Sequence, residues 1–409
     1  MNKKKLKSIV KYVKPIYKAY NELGNVGISF LKRFVKPNDE LILFASFGGQ
    51  KYDDSPRVIY EKMKKDKRFK RYTKVWALDH PEQFPEIKNV VKMDTPAYFK
   101  IALEARVWVT NSSIERGLNF KGKNTFYFDT WHGTPIKLMG TDISTDNTSF
   151  NPNGDHIRKS PIDVMMAQSN YEADIFSRTF VIDRDRFLLA GLPRNDELAN
   201  YTKITRQKYR KKLGIKDDQI AILYMPTFRE YTKDKDKEIV AAPPLSLDRW
   251  KEKLGRKYVF LFRAHYEVAK VMNITENGFI KNVTMYPTLN ELLIASDILI
   301  SDYSSTFFDY SIMDKPMLHF TYDYDEYSQK RGMYFDIRNE LDGANNEDDL
   351  IEIIKNFDVD AEIKKTIKFR NKYVNYYGHA TEAALDCIYN NLQCATRNNK
   401  SKMISAFLE

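Results

Sequence analysis

The segment Thr130–Gly140 combines residue types that could carry out proton transfer on a bound substrate. It contains His132, small hydroxyl residues, glycines and Lys137, and it follows the aromatic, strand-like run Thr125–Asp129. In open α/β sheets, ligands bind at the carboxyl ends of the strands. A histidine there can exchange a proton near neutral pH, and a neighbouring glycine lets a substrate approach the backbone. This segment is therefore the first candidate site.

Three further polar motifs follow strand-like runs in the second half of the chain, namely Met225–Arg229, Phe262–Tyr266 and Ile300–Thr306, the last directly ahead of the helical run Phe307–Met313. Hydroxyl and backbone N–H groups at a helix start can bind phosphate, and guanidinium groups bind it in bidentate fashion. Each motif alone also has a structural explanation. Ser304, Ser305 and Thr306 could cap their helix, Arg263 could pair with a surface acid, and Asp302 could hold backbone or an arginine. The prediction of a site rests on four polar motifs that all lie on the predicted loop edge and are split between the two halves of the chain.

The elements that must position these motifs alternate between strand and helix in two consecutive series. The first has strand-like runs at Leu41–Phe47, Lys74–Leu78, Asn89–Met93, Arg106–Thr110, Thr125–Asp129, Val164–Gln168 and Phe187–Ala190. The second has them at Ile220–Met225, Tyr258–Arg263, Asn282–Met285, Asp297–Ser301 and Met317–Phe320. This pattern predicts an α/β protein with two doubly wound parallel-sheet domains that face each other, with the site in the cleft. The predicted boundaries are a leader at 1–36, Rossmann-like domains at 37–195 and 196–375, and a helical tail at 376–409.

Composition limits the classes of function. A chain of 409 residues is long enough for two α/β domains, and 43% hydrophobic and 13% aromatic residues exclude general disorder. The net charge of +11 indicates an anionic partner: nucleic acid, a phosphorylated substrate or an acidic membrane. Cys387 and Cys394, in the tail, are interpreted as reduced packing residues. His319 lies in a strand-like run and is interpreted as a core residue.

The leader, residues 1–36, is strongly basic, with ten lysine or arginine residues and the single acid Glu22. Apolar side chains recur at three- and four-residue steps, at Leu6, Ile9, Val10, Val13, Ile16, Tyr17 and Tyr20. A basic amphipathic helix is typical of a segment that lies on an anionic membrane, where each cation near the surface contributes about 1 kcal/mol. The alternative is an ordinary helix that packs on the core and exposes a basic face.

Taken together, these motifs resemble the CDP-glycerol glycerophosphotransferase family, whose members prime and polymerise wall teichoic acids in Gram-positive bacteria. The matching segments run in family order over about 45–380 and are Thr130–Gly140, Gly191–Asp196, Met225–Arg229, Arg263–His265, Ser301–Asp309, Asp314–Pro316 and Arg331-Gly332. The resemblance implies a GT-B-like fold and peripheral attachment to the cytoplasmic face of the cell membrane. It also implies two essential histidines, which correspond to His132 and His265, an acceptor-binding first domain and a nucleotide site in the second.

The implied reaction moves glycerol phosphate or ribitol phosphate from CDP-glycerol or CDP-ribitol to a hydroxyl of an undecaprenyl-diphosphate-linked acceptor, and CMP leaves. We predict that His132 is the general base, and that His265 with Arg263 stabilises the diphosphate and the departing CMP. The other predicted substrate-binding residues are Gly133, Thr134, Lys137, Arg194, Arg229, Ser301, Asp302, Ser304, Ser305 and Thr306. No protein metal site is predicted, although Mg²⁺ could bind the diphosphate through its own oxygens.

Two other classes of function remain open at this point. A GT-B glycosyltransferase that uses a nucleotide sugar for a cell-surface polysaccharide would have the same cleft but would attack carbon. A nucleic-acid-binding protein would account for the positive charge, but the excess is conspicuous in 1–36 rather than interleaved with aromatics in one domain, and we predict no nucleic-acid partner. Within the family, the sequence leaves open glycerol or ribitol, primase or polymerase, and wall polymer or capsule.

Overall fold

The computed structural model describes residues 14–143, 161–229 and 242–406. The chain divides into two compact units. Unit 1 comprises Met1–His132, Met139–Asp196 and His379–Glu409, and unit 2 comprises Gly133–Leu138 and Glu197–Gly378. The sequence analysis placed residues 133–138 in the N-terminal domain, whereas they cluster with unit 2. The leader positions Leu6, Ile9, Val10 and Val13 lie outside the described residues.

Unit 1 is built on a seven-stranded, all-parallel sheet with the order β3-β2-β1-β4-β5-β6-β7. The strands are β1 (Asn38–Ala45), β2 (Thr73–Leu78), β3 (Val90–Lys92), β4 (Ala105–Thr110), β5 (Phe126–Asp129), β6 (Val164–Ala167) and β7 (Phe187–Leu189). The helices assigned to this unit are Lys14–Leu31, Asp54–Lys65, Pro96–Glu104, Asn170–Phe180 and Ala380–Ala406. Because the strand order reverses between β1 and β4, the loops after these two strands form the switch point where such sheets bind ligands.

The core of unit 1 brings together parts of the chain that are far apart in sequence. The ring of Phe44 on β1 stacks on that of Trp76 on β2, with centroids 5.7 Å apart. Helix Asp54–Lys65 adds Ile59 and Met63. The last helix closes the same cluster with buried apolar side chains at Ala380, Ala384, Leu385, Ile388 and Leu392. The final helix is therefore an integral part of the first unit.

Unit 2 has a six-stranded, all-parallel sheet with the order β10-β9-β8-β11-β12-β13. The strands are β8 (Ile220–Met225), β9 (Tyr258–Phe262), β10 (Ile280–Asn282), β11 (Ile298–Ser301), β12 (Met317–Phe320) and β13 (Gly343–Ala344). Its helices are Lys203–Lys212, Leu247–Leu254, Tyr266–Val271, Leu289–Ala295, Thr306–Ser311, Tyr324–Arg331, Glu347–Lys355 and Val359–Tyr373, and Asp196–Asn200 lies at the junction of the units. The order reverses between β8 and β11, which places a second switch point there. Two doubly wound parallel sheets confirm the predicted fold class.

The first described helix, Lys14–Leu31, packs on unit 1 with one face only. Ile28 is buried, and Gly24 is so close to Leu118 that an added Cβ would lie 2.7 Å from the leucine Cδ2. The Tyr20 hydroxyl also donates to the Arg116 carbonyl oxygen at 3.3 Å. A different set of large apolar side chains is left exposed, at Ile16, Leu23, Val26 and Phe30, followed by Phe34 beyond the helix end. The helix thus has one core-facing and one solvent-facing apolar surface.

Some predicted elements differ from the structure at their bounds. The strand expected at Asn282–Met285 is β10, Ile280–Asn282, and the two-residue β13 was not predicted. Helix Asp54–Lys65 has Asp53 at its N-cap, and Ser55 lies inside its first turn. Among the described residues, none of the helices combines the length and hydropathy of a membrane-spanning segment.

His319, on β12, is buried as the sequence analysis expected. Its Nδ1 lies 3.1 Å from the Thr321 Oγ1. Burial disfavours the charged imidazolium and lowers the pKa of His319 to about 4.

Candidate active site

His132 lies in unit 1 just after β5, where the chain makes a constrained turn. The Trp131 N–H donates to Asp129 Oδ1 at 2.7 Å, and Trp131 has a left-handed backbone with φ of 50°. The Trp131 ring stacks on the His132 imidazole, with centroids 4.2 Å apart. The His132 Nδ1 lies 2.6 Å from the Asn111 carbonyl oxygen. Because a carbonyl can only accept, Nδ1 carries the proton, and Nε2 of the neutral ring has the lone pair that a base requires.

The loops at the switch point of unit 1 surround this imidazole. Asn111 directly follows β4, and its Oδ1 accepts the Phe47 N–H at 2.8 Å from the loop after β1. The Phe47 ring lies 5.6 Å from the His132 ring, centroid to centroid. His132 is therefore at the carboxyl edge of the sheet, beside the point where the strand order reverses. The sequence analysis expected this position from the strand-like run that precedes the motif.

Arg194 contacts the His132 backbone and an aspartate. Its Nη1 lies 2.7 Å from the His132 carbonyl oxygen and 2.9 Å from Asp54 Oδ2. The Arg194 and Asp54 side chains are only 14% and 8% exposed. The Arg194 N–H also donates to Ser55 Oγ at 3.3 Å. The structure thus gives Arg194 a role in holding the His132 loop, and its predicted contact with substrate stays a prediction.

The predicted residues that follow His132 belong to unit 2. Gly133 and Thr134 are buried, and Lys137 forms an antiparallel bridge with Met333. The Leu138 N–H donates to the Gly332 carbonyl oxygen at 3.1 Å, and Arg331 Nη1 donates to the Leu138 carbonyl oxygen at 3.0 Å. The motif Arg331-Gly332 therefore holds the segment 133–138 in place.

Arg263 and His265 follow β9 in unit 2. Arg263 Nη1 donates to the carbonyl oxygens of Val283 and Tyr286, at 3.1 and 2.7 Å, so its guanidinium holds the loop after β10. His265 is exposed, and its ring centroid lies 4.3 Å from that of Phe228. The imidazole is thus accessible and supported on one side by an aromatic ring. Since His132 and His265 belong to different units, their predicted meeting across a cleft stays a prediction.

The motif Ser301–Thr306 lies at the switch point of unit 2. Ser301 Oγ donates to the Met225 carbonyl oxygen at 2.6 Å, which joins β11 to β8. Asp302 is 1% exposed and accepts the Thr227 N–H at 2.9 Å and the Tyr303 N–H at 2.6 Å. Asp302 therefore orients the loop through backbone contacts, which the sequence analysis gave as its structural alternative, and its predicted contact with substrate stays a prediction.

Of the three hydroxyl residues that follow, Ser304 and Ser305 are partly exposed and Thr306 is buried. Ser304 Oγ and Thr306 Oγ1 are 2.9 Å apart, and Ser304 Oγ accepts the Thr306 N–H at 3.2 Å. Ser305 precedes helix Thr306–Ser311 without a side-chain capping bond. The helix-cap explanation thus does not account for Ser305.

Arg229 differs from the predicted phosphate ligand because it is 3% exposed. Its Nη1 lies 2.8 Å from Asp302 Oδ2 and its Nε lies 2.7 Å from Asp323 Oδ2. The guanidinium is also about 5 Å from the ring centroids of Tyr303, Tyr322 and Tyr327. A guanidinium enclosed in this way positions Asp302 and the motif around it, and the predicted contact of Arg229 with phosphate stays a prediction.

The Tyr303 hydroxyl is part of the same cluster and donates to Asp323 Oδ1 at 3.0 Å. Burial, together with the nearby Asp323 and Asp302 carboxylates, raises the pKa of Tyr303 above its ordinary value. Tyr303 is therefore a neutral donor across the physiological pH range, and the cluster is an internal charge network.

Sequence reasoning did not identify Asn111 or Asp54 as parts of the site. Asn111 directly follows β4 and Asp54 begins helix Asp54–Lys65, but neither lies in a motif of recognisable spacing. Within residues 14–143, 161–229 and 242–406, there is no group of three or more His, Cys, Asp or Glu side chains placed to hold a metal.

Two all-parallel, doubly wound units with polar motifs at their switch points define a GT-B-like α/β protein. Solved structures of the wall teichoic acid polymerase TagF share this architecture. One covers 96% of this chain and 99% of its own, with a TM-score of 0.78 and 28% identity. A TagF structure of a histidine-to-asparagine variant soaked with CDPG has a TM-score of 0.77 at 27% identity, over 97% of this chain and 100% of its own.

The family is shown by sequence comparison. The family described as CDP-glycerol:poly(glycerophosphate) glycerophosphotransferase matches residues 28–390, so the chain belongs to it. The chain is 34% identical over 323 residues to the teichoic acid poly(glycerol phosphate) polymerase of Staphylococcus epidermidis. The aligned region covers 76% of this chain but only 44% of that relative. It is 31% identical over 337 residues to the teichoic acid glycerol-phosphate transferase of Staphylococcus aureus, over 79% of this chain and 85% of the relative. The resemblance found in the motifs is thereby confirmed.

Proposed function

We propose that the chain transfers glycerol phosphate or ribitol phosphate from a CDP-polyol to a hydroxyl of a lipid-linked acceptor in teichoic acid synthesis. The observation that carries this proposal is the family match over residues 28–390. The likeness to TagF over nearly the whole chain supports it further. The chain spans less than half of the Staphylococcus epidermidis polymerase, and the proposal concerns the reaction of this catalytic portion.

In the proposed reaction, the acceptor hydroxyl oxygen attacks the phosphorus that bears the polyol. The bond from that phosphorus to the bridging oxygen breaks, CMP leaves with this oxygen, and the hydroxyl proton passes to Nε2 of His132. The hydrogen bond between Nδ1 and the Asn111 carbonyl supports this role because it leaves Nε2 as the accepting nitrogen. Transfers of this kind depend mainly on positioning and on stabilising charge.

We assign the CDP-polyol diphosphate to the loops of unit 2. His265 is accessible there, and the hydroxyls of Ser304, Ser305 and Thr306 lie beside the buried Asp302. Lys137, in the segment that joins this unit, is a further phosphate candidate. Mg²⁺ enters the proposal only as an ion carried by the diphosphate, since no cluster of protein ligands occurs in the described part of the chain.

We further propose that helix Lys14–Leu31 lies on the anionic cytoplasmic face of the cell membrane, where a lipid-linked acceptor would be available. Leu23, Val26 and Phe30 are 74%, 71% and 58% exposed, which is unusual for large apolar side chains along one helix. Lysines before the helix and Lys32 and Arg33 after it add positive charge. An apolar surface flanked by cations fits the interface of an anionic leaflet.

The proposed reaction is tested by offering CDP-glycerol and CDP-ribitol separately, with an undecaprenyl-diphosphate-linked disaccharide as acceptor. We expect CMP release that equals the number of new phosphodiester bonds for one of the donors. The length of the product distinguishes a primase from a polymerase. Absence of CMP release with both donors, or formation of glycosidic bonds from a nucleotide sugar, would contradict the proposal.

A further inference from the structure

Backbone strain is concentrated around His132. Phe47, Asp54 and Trp131 all have left-handed backbones, with φ of 47°, 63° and 50°. Residues with a Cβ adopt this region only when the surrounding structure holds them there, and such residues cluster at functional sites. Phe47 and Trp131 contact the His132 ring directly, and Asp54 is linked to the His132 carbonyl through Arg194. Two strained residues therefore contact the imidazole, and a third is linked to the backbone of the same histidine.

The link through Arg194 is closely defined. One nitrogen, Nη1, reaches both Asp54 Oδ2 at 2.9 Å and the His132 carbonyl oxygen at 2.7 Å. Asp54 is itself fixed, because its Oδ1 accepts the Ser55 N–H at 2.6 Å. The two charged side chains are 14% and 8% exposed, so solvent screens their attraction only weakly. The carboxylate thus holds the guanidinium in the orientation that its bond to the His132 carbonyl requires.

We infer that Asp54 and Arg194 form a positioning pair that fixes the His132 backbone so that the imidazole keeps its bond to Asn111 and directs Nε2 towards the substrate. The inference rests on the proposed role of His132 as the base. Arg194 holds the backbone on one side of the residue, and the Asn111 carbonyl holds Nδ1 on the other. Displacement of a catalytic group by about 1 Å can reduce turnover on the order of 10²-fold, so loss of either anchor is expected to affect the chemical step.

The kinetic test compares Arg194→Gln, Asp54→Asn and the double variant with the wild type. We expect each single variant to lower kcat on the order of 10²-fold, with little change in KM for the CDP-polyol. The double variant should be no slower than the more impaired single variant, because the two side chains act through one bond to His132. The matched control is the exposed pair Arg184 and Asp174 in the same unit, whose Nε and Oδ1 are 2.8 Å apart, changed to Gln and Asn. These control variants should retain wild-type turnover.

A second measurement reports on His132 without any substrate. In the full-length protein labelled with ¹⁵N-histidine, the His132 signals are assigned by their loss in His132→Asn. The wild type should show the Nδ1–H tautomer, and Arg194→Gln and Asp54→Asn should lower its population. This arm also separates the two hypotheses: a wild type that releases no CMP refutes the proposed function, while the tautomer still decides the positioning role.

Two outcomes would overturn the inference. The first is an unchanged His132 tautomer together with wild-type kcat in both variants. The second is a rise in KM for the CDP-polyol at constant kcat, which would make Arg194 a substrate ligand.

Discussion

His132 and His265 have different surroundings, although the family resemblance predicts that both are essential. The His132 imidazole is held between the Trp131 ring and the Asn111 carbonyl, whereas the His265 ring is exposed beside Phe228. The first environment suits a group that must transfer a proton in one direction. The second suits a group that meets a charged ligand arriving from solvent.

We expect His132→Ala and His265→Ala each to lower kcat by about 10²–10⁴-fold, as is usual for loss of proton transfer or of charge stabilisation. The measurement is CMP release at saturating donor and acceptor. His80→Ala is the control, because His80 is exposed and its Nδ1 lies 2.9 Å from Oε1 of the exposed Glu82. If His132→Ala kept near-normal turnover while His265→Ala abolished it, the two roles would have been assigned wrongly.

We expect substitution of Arg229 to affect the stability of the protein rather than phosphate binding. Arg229→Met removes the cation that pairs with the buried Asp302 and the partly buried Asp323, and breaking a buried ion pair costs about 3–5 kcal/mol. Urea unfolding should show this loss. Arg249→Met is the control, since the Arg249 side chain is 43% exposed where it pairs with Glu347, and exposed pairs contribute about 0–1 kcal/mol. Unchanged stability combined with a higher KM for the donor would restore the phosphate-binding role.

The residues of the site were only partly predictable from the sequence. His132 could be identified because a histidine among glycines and hydroxyls follows a strand-like run. Asp54 could not, because it meets Arg194 from the start of helix Asp54–Lys65, 140 residues away in the chain. Arg229 lay in a recognised motif, but the sequence does not show that Asp302 and Asp323 fold around it. Local pattern therefore indicates which loops carry the chemistry, and tertiary contacts decide which side chains face the substrate.

At the scale of elements, buried strands were the most predictable feature. β8 and β12 have the predicted bounds because each is a short, buried and mostly apolar run within a parallel sheet. β13, Gly343–Ala344, has only two residues and no such signal. β10 was expected too late in the chain because Val283 is buried just beyond the strand end and resembled a strand residue.

The exposed apolar surface of helix Lys14–Leu31 predicts that the protein binds lipid membranes. A single acidic substitution on this surface should weaken that binding. Transfer of a leucine or phenylalanine side chain from water is worth roughly 1.5–3 kcal/mol, so Leu23→Asp and Phe30→Asp should each reduce affinity for anionic vesicles about 10-fold or more. Co-sedimentation with phosphatidylglycerol-containing vesicles measures this, with neutral vesicles for comparison. Ile204→Asp is the matched control, because Ile204 is 78% exposed in unit 2. If Leu23→Asp and Phe30→Asp bound anionic vesicles as well as the control Ile204→Asp does, the proposed membrane role of this surface would be refuted.

At the scale of the whole molecule, buried His319 couples the stability of unit 2 to pH. Its folded-state pKa of about 4 is below the ordinary value of about 6.5, so the unfolded chain binds more protons between these values. The stability that the neutral, buried His319 contributes to the folded state is fully present above pH 6.5 and is lost as the pH falls towards 4. Relative to His319→Asn, the wild type should lose about 2 kcal/mol more of its free energy of unfolding between pH 7 and pH 5. Parallel pH profiles from urea unfolding of the two proteins would contradict this.

The last helix determines the order in which the two units can complete their folding during translation. Ala380–Ala406 supplies apolar side chains to the same core as Phe44 and Trp76, and the carboxylate of Asp196 accepts the Ala380 N–H at 2.9 Å. In a nascent chain, the core of unit 1 therefore lacks its last helix throughout translation of unit 2. Termination of translation near Gly378 would release a product in which unit 2 is complete and unit 1 lacks its last helix. Although unit 1 is synthesised earlier, it is the unit that proteases and chaperones would recognise in this product.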